Sequence, residues 1–441
     1  MHSTRLPDAA QARGAAKPAG LRRQGRACRS LRSPSASLYE FSSSDIELGQ
    51  NLGTSRILDV VSARPSTLQQ APLATDISSL EQLSSSQRLS QSQQSGVEAR
   101  LFTGRVVEGD LAGMPIILKA YSNRAVGDAD MLAANELATH DTLQTWRGGS
   151  PCFCQLLGGF VAQAGASAGE QWLVFRDDGS RTAAAYAARA GDATARDGVV
   201  GPDSFMAAAR LGNQGRLQRR QAFVRKMMYQ IMEGLAFMHS RQRLHQSLGP
   251  ASVLLNTRGE ADIDQLQIRL WDLAFSVDVS DEALFGGATL GDIWDRGSIT
   301  TNDPRQELAS GLWRRAKQAG AFGERSRRNY GFADDVFAAG LLLAFLAFVP
   351  FCQPGSIDGP SLQRLLTVTF AADMEAAQLY CEADDRWSKA VAFLDRGSET
   401  GWHLLAAMLN PEWQLRPTAE SCLNHPFLQM ALGASADNVQ I

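Results

Sequence analysis

The sequence predicts an α+β fold in two lobes, with strands in the first lobe and helices in the second. Short apolar runs around glycine turns lie between residues 45 and 176, whereas residues 330–429 follow a helical period almost throughout. Strands followed by helices, rather than alternating with them, are typical of α+β proteins. A chain of 441 residues is long enough for one large two-lobed domain with extensions.

The elements of the first lobe are predicted from local patterns. Strands are indicated by β-branched and apolar residues bounded by turn residues, and a helix is indicated by apolar residues at helical spacing. A stretch rich in Ser and Gln has no apolar period and is predicted to be an insertion. The predicted strand regions are 45–63, 100–121, 153–161 and 171–176, the helix is 128–146, and the insertion is 64–98.

The second lobe is predicted to be built from helices. Residues 181–220 are rich in Ala and Arg and are predicted to be a partly helical insertion, and residues 221–240 form a clear helix whose methionine stripe indicates core packing. The longest apolar run, Val336 to Val349, is shorter than the ~20 residues needed to cross a bilayer. We therefore expect a buried core helix there and no transmembrane segment.

Composition excludes some functions. The chain is 44% hydrophobic and 20% charged with a net charge of −3, and it has no long basic stripe with interleaved aromatics, so nucleic-acid binding is not expected. The six cysteines are scattered without a CxxC pair, which indicates reduced structural thiols. They are Cys28, Cys152, Cys154, Cys352, Cys381 and Cys422.

The first ~35 residues have a composition of their own. They hold seven arginines among Ala, Ser, Gly and Pro, with Asp8 as the one acid, which is typical of an organelle transit peptide. Arg26-Ala27-Cys28 resembles a plastid processing site, which favours the chloroplast over the mitochondrion. The alternative is a disordered basic tail. Residues 1–40 and 430–441 are predicted to lie outside the folded domain.

Three motifs in the second half have a characteristic order. The first, HSRQRLHQSLGPASVLL at 239–255, follows an amphipathic helix and is followed by Leu270-Trp271-Asp272. The chain then closes with Arg416-Pro417-Thr418-Ala419 and His425-Pro426-Phe427. This order and spacing resemble the eukaryotic-type protein kinase superfamily over residues 45–429, which implies a two-lobed kinase fold with a small β-rich and a larger helical lobe.

The resemblance implies a set of nucleotide-binding residues. Gly53 and Val60 match the phosphate loop and the valine that packs on the base, although Leu58 replaces one glycine; Gly104 and Val106 offer an alternative frame. Lys119 matches the lysine that holds the α- and β-phosphates, and Glu136 is its expected partner. Phe175 takes the gatekeeper position at the back of the pocket, and Asp272 is the expected Mg²⁺ ligand.

The catalytic loop lacks groups that phosphoryl transfer uses. Ser247 stands where the base aspartate belongs, and Ser252 stands where the metal-binding asparagine belongs. Gln246 and Gly249 replace an arginine and a lysine of the family pattern. A hydroxyl does not accept a proton near neutral pH, and losing a general base typically costs ~10²–10⁴ in rate.

We therefore predict a pseudokinase, a regulatory or binding module that docks other proteins and binds ATP and Mg²⁺ weakly. The alternative is an active, divergent Ser/Thr protein kinase in which another acid, such as Asp177, Asp178 or one in residues 276–323, acts as the base. The sequence leaves the partner, the pathway and the oligomeric state open.

Overall fold

The structure is a computed structural model that describes residues 38–57, 97–123, 128–145, 150–163, 167–179, 181–197, 206–257, 259–285 and 304–433. These residues belong to one compact unit, Ala36–Ile441. Within it, a strand-rich first lobe precedes a helical second lobe, so the predicted α+β, two-lobed architecture is confirmed.

The first lobe is a mixed six-stranded sheet of described strands in the order β1-β5-β6-β4-β3-β2. All its neighbours pair antiparallel except β1 and β5. One helix, α1 (Asp128–Thr145), packs against this sheet. The strands are β1 (Tyr39–Glu40), β2 (Ile46–Ile57), β3 (Val97–Val106), β4 (Pro115–Asn123), β5 (Leu156–Val161) and β6 (Gln171–Arg176).

The central strand β4 is buried on both faces. Because side chains alternate along a strand, Ile116 and Leu118 pack into one cluster with Val106, while Ile117 and Tyr121 point to the opposite face. The second face carries Lys119 between Ile117 and Tyr121 and looks toward the second lobe. This alternation decides which residues of the sheet belong to the site.

Two boundaries of the first lobe differ from the prediction. Residues 45–63 were expected to form strand–turn–strand around a glycine, but Ile46–Ile57 is the single strand β2, which continues through Gly53 where it pairs with Leu101; residues 58–63 lie outside the described residues. Pairing with β3 over a bulge favours one long strand over a local turn. Strand β1 lies within residues 1–40, which were expected to be disordered; it pairs at Gly158, where a Cβ would lie 1.8 Å from the Tyr39 carbonyl oxygen.

The second lobe surrounds two long helices, α3 (Met206–Ser240) and α6 (Glu324–Phe348). Residues 181–220, expected to be a partly helical insertion, contain β7, α2 and the first part of α3 where the structure describes them; whether they are an insertion stays a prediction. The other described elements are β7 (Arg181–Thr182), α2 (Ala183–Asp197), β8 (Arg243–Leu244), β9 (Val253–Leu255), β10 (Ile268–Leu270), β11 (Val277–Asp278), α4 (Asp281–Phe285), α5 (Pro304–Gln318), α7 (Gly359–Arg364), α8 (Met374–Glu382), α9 (Ser388–Leu394), α10 (Arg396–Met408), α11 (Ala419–Leu423) and α12 (Pro426–Gly433).

The apolar run that the sequence indicated lies at the centre of this lobe. Among the described helices, the segment Glu324–Phe351 is the one long and apolar enough to cross a membrane, and 78% of its most apolar window is buried inside the protein. The methionine stripe of α3, including Met227 and Met238, packs against it in the same core. A helix covered by its own protein on most sides is typical of a core helix.

Candidate nucleotide cleft and catalytic loop

Lys119 lies at the centre of a buried charge cluster between the lobes. Its Nζ donates to both carboxylate oxygens of Glu136, at 3.1 and 2.9 Å, and to Asp272 Oδ1 at 2.6 Å. Strand β4 provides the lysine, α1 provides the glutamate, and the segment after β10 provides the aspartate. An ammonium group has three N–H donors. All three are directed at carboxylate oxygens.

Tyr121 extends this cluster by one residue along the same face of β4. Its hydroxyl donates to Glu136 Oε2, and Lys119 Nζ lies 5.1 Å from its ring centroid. Burial lowers the pKa of Lys119, but Asp272 and Glu136 outweigh that effect and raise the pKa well above its usual value. Burial and the neighbouring Glu136 also raise the pKa of Tyr121 well above its usual value. The lysine is therefore charged and the tyrosine neutral at physiological pH.

The backbone at Asp272 is held in an uncommon conformation. Its φ is +63°, in the left-handed region that residues with a Cβ seldom adopt. The next peptide N–H, of Leu273, donates to Glu136 Oε1 at 3.1 Å, and the Asp272 carbonyl oxygen accepts from the Ser247 hydroxyl. Such conformations persist where the surroundings fix them and are concentrated at functional sites.

Asp335, near the middle of α6, anchors the catalytic loop from below. Its Oδ2 accepts from the His245 N–H at 2.8 Å, and its Oδ1 accepts from the backbone and side-chain amides of Gln246 at 2.9 and 3.0 Å. His239 Nε2 lies 3.1 Å from the same Oδ2. Although burial raises the pKa of Asp335, the bond to His239 and the histidine charges outweigh it and lower the pKa. The loop is therefore fixed on a buried carboxylate.

Gln246 also contacts Arg315, a residue of helix α5. Its Oε1 accepts from Arg315 Nη2 at 3.3 Å, and the same guanidinium pairs with Asp334 at 3.0 Å. The positive charge near the loop is therefore carried by Arg315, which contacts the amide of Gln246 and the carboxylate of Asp334. In the family pattern, an arginine at position 246 would carry that charge on the loop itself.

The two serines of the loop are buried and bonded within it. Ser247 Oγ donates to the Asp272 carbonyl oxygen and lies 3.4 Å from His245 Nδ1. Ser252 Oγ donates to the Gly249 carbonyl oxygen and accepts from the Gly249 N–H, both at 2.9 Å. Each hydroxyl thus stabilises the path of the backbone.

Aromatic rings close the back of the cleft. Phe175 is fully buried, with its ring 5.1 Å from that of His140 and 6.3 Å from that of Trp271. The Trp271 indole N–H donates to the Ala251 carbonyl oxygen at 2.8 Å, and the indole lies 5.4 Å from Lys119 Nζ. Burial, together with the charge of Lys119, lowers the pKa of His140 to about 3, so its ring is neutral.

Charged residues at the end of β6, where the chain passes from the first lobe to the second, pair with one another and with Arg269. Arg176 donates to both carboxylate oxygens of Asp178, at 2.6 and 2.8 Å, and Arg269 Nε lies 3.5 Å from the same carboxylate. Asp177 Oδ1 accepts from the Gly179 N–H at 3.0 Å. Asp177 and Asp178, two of the acids that the sequence offered as substitute bases, thus have partners in this connection.

The structure brings together Lys119, Glu136, Asp272, Ser247 and Phe175, the residues that the resemblance implied for the site. The two residues predicted for the phosphate loop are not seen together at this site. Gly53 lies within β2, with φ +149°, and Val60 lies outside the described residues. In the alternative frame, Val106 packs on the outer face of the sheet and does not line the cleft.

Sequence reasoning missed three residues of the site. Tyr121 follows Lys119 by two positions, so strand alternation alone would have placed it on the same face. Leu101 is the residue opposite Lys119 on β3, which becomes apparent only from the register. Trp271 precedes Asp272 and lies in the buried cluster on the cleft side. A large aromatic residue next to a predicted site residue is the feature of the sequence that could have indicated its place there.

The residues fit a magnesium nucleotide only in part. Asp272 offers a carboxylate, but its Oδ1 is bound to Lys119, and the Ser252 hydroxyl is directed into its own loop. Among the described residues, no group of three or more His, Cys, Asp or Glu side chains is arranged to hold a metal ion. Asp272 is thus the residue that would hold a magnesium ion, and the Ser252 hydroxyl is bonded within its own loop.

The fold and these motifs define a protein of the kinase class. The profile of the family described as "Protein kinase domain" matches residues 202–428, more than half of the chain, and the chain belongs to that family. Among curated proteins it is similar to serine/threonine-protein kinase MAK of Homo sapiens and of Mus musculus, with 24% identity over 231 and 230 residues.

Each of these matches covers 50% of this chain and 32% of the relative, so the chain spans about a third of the length of the curated relatives it matches. Among solved structures, it is similar to a Stt7 homolog from Micromonas algae soaked with ATP. That likeness has 16% identity and a TM-score of 0.49, and covers 95% of this chain and 97% of the other.

Proposed function

We propose that this protein is a pseudokinase: a kinase-fold module that binds and regulates other proteins and does not transfer phosphate at an ordinary kinase rate. The observation that carries the proposal is the state of Ser247. Its hydroxyl stands at the base position, is buried, and donates to the Asp272 carbonyl oxygen. A hydroxyl in that arrangement supports the backbone and has no capacity to take a proton from a substrate near neutral pH.

The cluster around Lys119 supports weak binding of ATP with Mg²⁺. A phosphate group would compete with Asp272 for the ammonium of Lys119, because the third N–H donor is already bound at 2.6 Å. Exchange of one anion for another on a buried cation gives little net energy. Weak occupancy would still link the lobes, since a ligand that binds the native state alone stabilises it.

The test is phosphate transfer by the full-length protein. Purified protein is incubated with γ-³²P-labelled ATP, Mg²⁺ or Mn²⁺, and a mixture of acceptor proteins, with Asp272→Asn prepared in parallel as the control for contaminating kinases. We expect the wild type to label itself and the acceptors no more than Asp272→Asn does. Metal-dependent labelling above that control would establish the alternative, an active divergent Ser/Thr kinase.

We also propose a chloroplast location, with the mitochondrion as the alternative. The support is the Arg-rich, acid-poor composition of residues 1–35, which lie outside the described residues. A fluorescent protein fused to the C-terminus of the full chain should accumulate in plastids of an algal cell. The same fusion without residues 1–40 should stay in the cytosol, and identical distribution of the two would contradict the proposal.

A further inference from the structure

Side chains from the sheet of the first lobe, here called the roof, and from β9 of the second lobe, here called the floor, pack together in one buried cluster. The roof residues Leu101 and Ile117 and the floor residue Leu254 belong to one buried cluster with Trp271, and none of the four is more than 7% exposed. Roof and floor residues of an open cleft would face water. Here they are buried instead, in a cluster that also holds the large Trp271 side chain.

Trp271 is fixed in this place by contacts of three kinds. Its indole N–H donates to the Ala251 carbonyl oxygen at 2.8 Å. The ring lies edge-on to Phe175 at 6.3 Å, and Lys119 Nζ lies 5.4 Å from its centroid, within the range of a cation–π interaction. A buried indole with a satisfied N–H is held in one orientation.

An indole and a purine are flat bicyclic rings of similar size. The indole of Trp271 belongs to the same buried cluster as Leu101, Ile117 and Leu254, lies edge-on to the ring of Phe175 and lies 5.4 Å from Lys119 Nζ. We propose that Trp271 occupies the nucleobase part of the cleft as an intramolecular substitute, and that it is the residue that sets the affinity for adenine nucleotides.

This inference deepens the proposed function and rests on it for the assignment of the cleft to a nucleotide. A purine enters when the indole leaves, and departure breaks the bond to Ala251 and exposes the ring. The apparent dissociation constant is the intrinsic one divided by the fraction of molecules with the indole displaced. Weak nucleotide binding then has its cause in Trp271, in addition to the occupied ammonium of Lys119.

The experiment measures the dissociation constant of ADP with Mg²⁺ by calorimetry on full-length protein, comparing the wild type with Trp271→Ala. Trp271→Leu is the second variant, because it retains more apolar volume and is less prone to unfold. The matched control is Trp402→Ala, which removes another buried tryptophan with a bonded indole N–H, far from the cleft. All proteins are first shown by circular dichroism to be folded.

We expect ADP to bind the Trp271 variants at least about tenfold more tightly than the wild type, with Trp402→Ala unchanged. Affinity of the Trp271 variants within about twofold of the wild type, or an equal gain in Trp402→Ala, would overturn the inference and leave Trp271 as a core residue. The two proposals fail separately. Phosphate transfer by the wild type contradicts the pseudokinase, whereas an unchanged ADP affinity in the Trp271 variants contradicts the role of Trp271.

Discussion

The Lys119 ammonium is bound to the Asp272 carboxylate, Nζ to Oδ1, at 2.6 Å. In the family pattern the lysine holds phosphates and the aspartate holds a metal ion; here the two partners hold each other. With Glu136 as a second carboxylate, the cluster links β4, α1 and the segment after β10. The same residues that suggest nucleotide chemistry therefore also hold the two lobes together.

Substitution of Lys119 by Met should destabilise the fold. It would leave Glu136 buried without its cation, and breaking a buried pair by removal of one partner costs about 3–5 kcal/mol. Unfolding in urea, followed by circular dichroism, measures this loss. The exposed Lys317→Met on α5 is the control, with an expected change within about 0.5 kcal/mol. Equal stability of the two variants would contradict a structural role for the Lys119 cluster.

Restoration of the family's aspartate at position 247 should destabilise this protein and give no activity. The Ser247 hydroxyl is buried and donates to the Asp272 carbonyl oxygen. A carboxylate at position 247 has no proton to donate, so its oxygen would lie against the Asp272 carbonyl oxygen, and the two acceptors would repel each other. We expect Ser247→Asp to lose about 3 kcal/mol or more of unfolding free energy, and Ser247→Ala to lose about 1 kcal/mol, by urea titration.

Both Ser247 variants are also assayed for transfer from labelled ATP, with Asp272→Asn as the background. A stable Ser247→Asp protein that phosphorylates acceptor proteins would show that the loop kept room for the base. That outcome would contradict the structural interpretation of the serine.

Much of the site was predictable because its motifs resemble those of the kinase family in order and spacing. Local periods place Lys119 on an apolar strand and Glu136 on the following helix, and the resemblance to the kinase family implied that these two side chains meet. The catalytic loop was recognisable from His245 and its flanking helix. These features depend on short-range sequence, and the structure agrees with them.

The remainder depends on contacts between distant segments. Leu101 reached the site through the register of β3 and β4, and the single long strand through Gly53 depends on pairing with the same β3. Residues 181–220 were expected to be only partly helical because Ala, Arg and Gly give a weak apolar period, yet α2 forms there and its residues Ala183, Tyr186, Ala187 and Ala190 lie in the core. Propensity is a weak signal when tertiary packing supplies most of a helix's stability.

His140 should make the stability depend on pH. Its folded-state pKa is about 3 against 6.5 for the free side chain, so between these values the unfolded chain binds one more proton. The stability that comes from keeping His140 neutral is fully present above pH 6.5 and is lost as the pH falls toward 3. At pH 5 the loss should be about 2 kcal/mol.

Urea unfolding of the wild type and His140→Leu at pH 7.5 and pH 5 measures this difference. The variant should lose about 2 kcal/mol less than the wild type on acidification. Leu143→Ala, three residues along α1, is the control, because it removes buried apolar volume without removing a titrating group. It should destabilise by a similar amount at both pH values. Parallel losses in wild type and His140→Leu would contradict the assignment.

Asp335→Asn tests how far one carboxylate of α6 supports the catalytic loop. The aspartate accepts from the His245 and Gln246 backbone N–H groups through different oxygens. An asparagine has one acceptor oxygen, so its amide group would face an N–H donor. Because a buried donor without an acceptor costs about 1–3 kcal/mol and bonds to a charged group are the stronger ones, we expect a loss of about 3 kcal/mol in urea.

The same substitution at Asp358 is the control for Asp335→Asn. Asp358 caps α7 and accepts from the Ser361 N–H at 2.7 Å at an exposed position, and asparagine caps a helix about as well as aspartate. Asp358→Asn should therefore change the unfolding free energy by less than about 0.5 kcal/mol. A loosened loop would also release the bond from Ser247 to the Asp272 carbonyl oxygen, and this would loosen the next peptide, whose Leu273 N–H donates to Glu136. Hydrogen exchange of the Leu273 N–H should therefore be faster in Asp335→Asn and unchanged in Asp358→Asn. Unchanged exchange in both would mean that the loop keeps its path without Asp335.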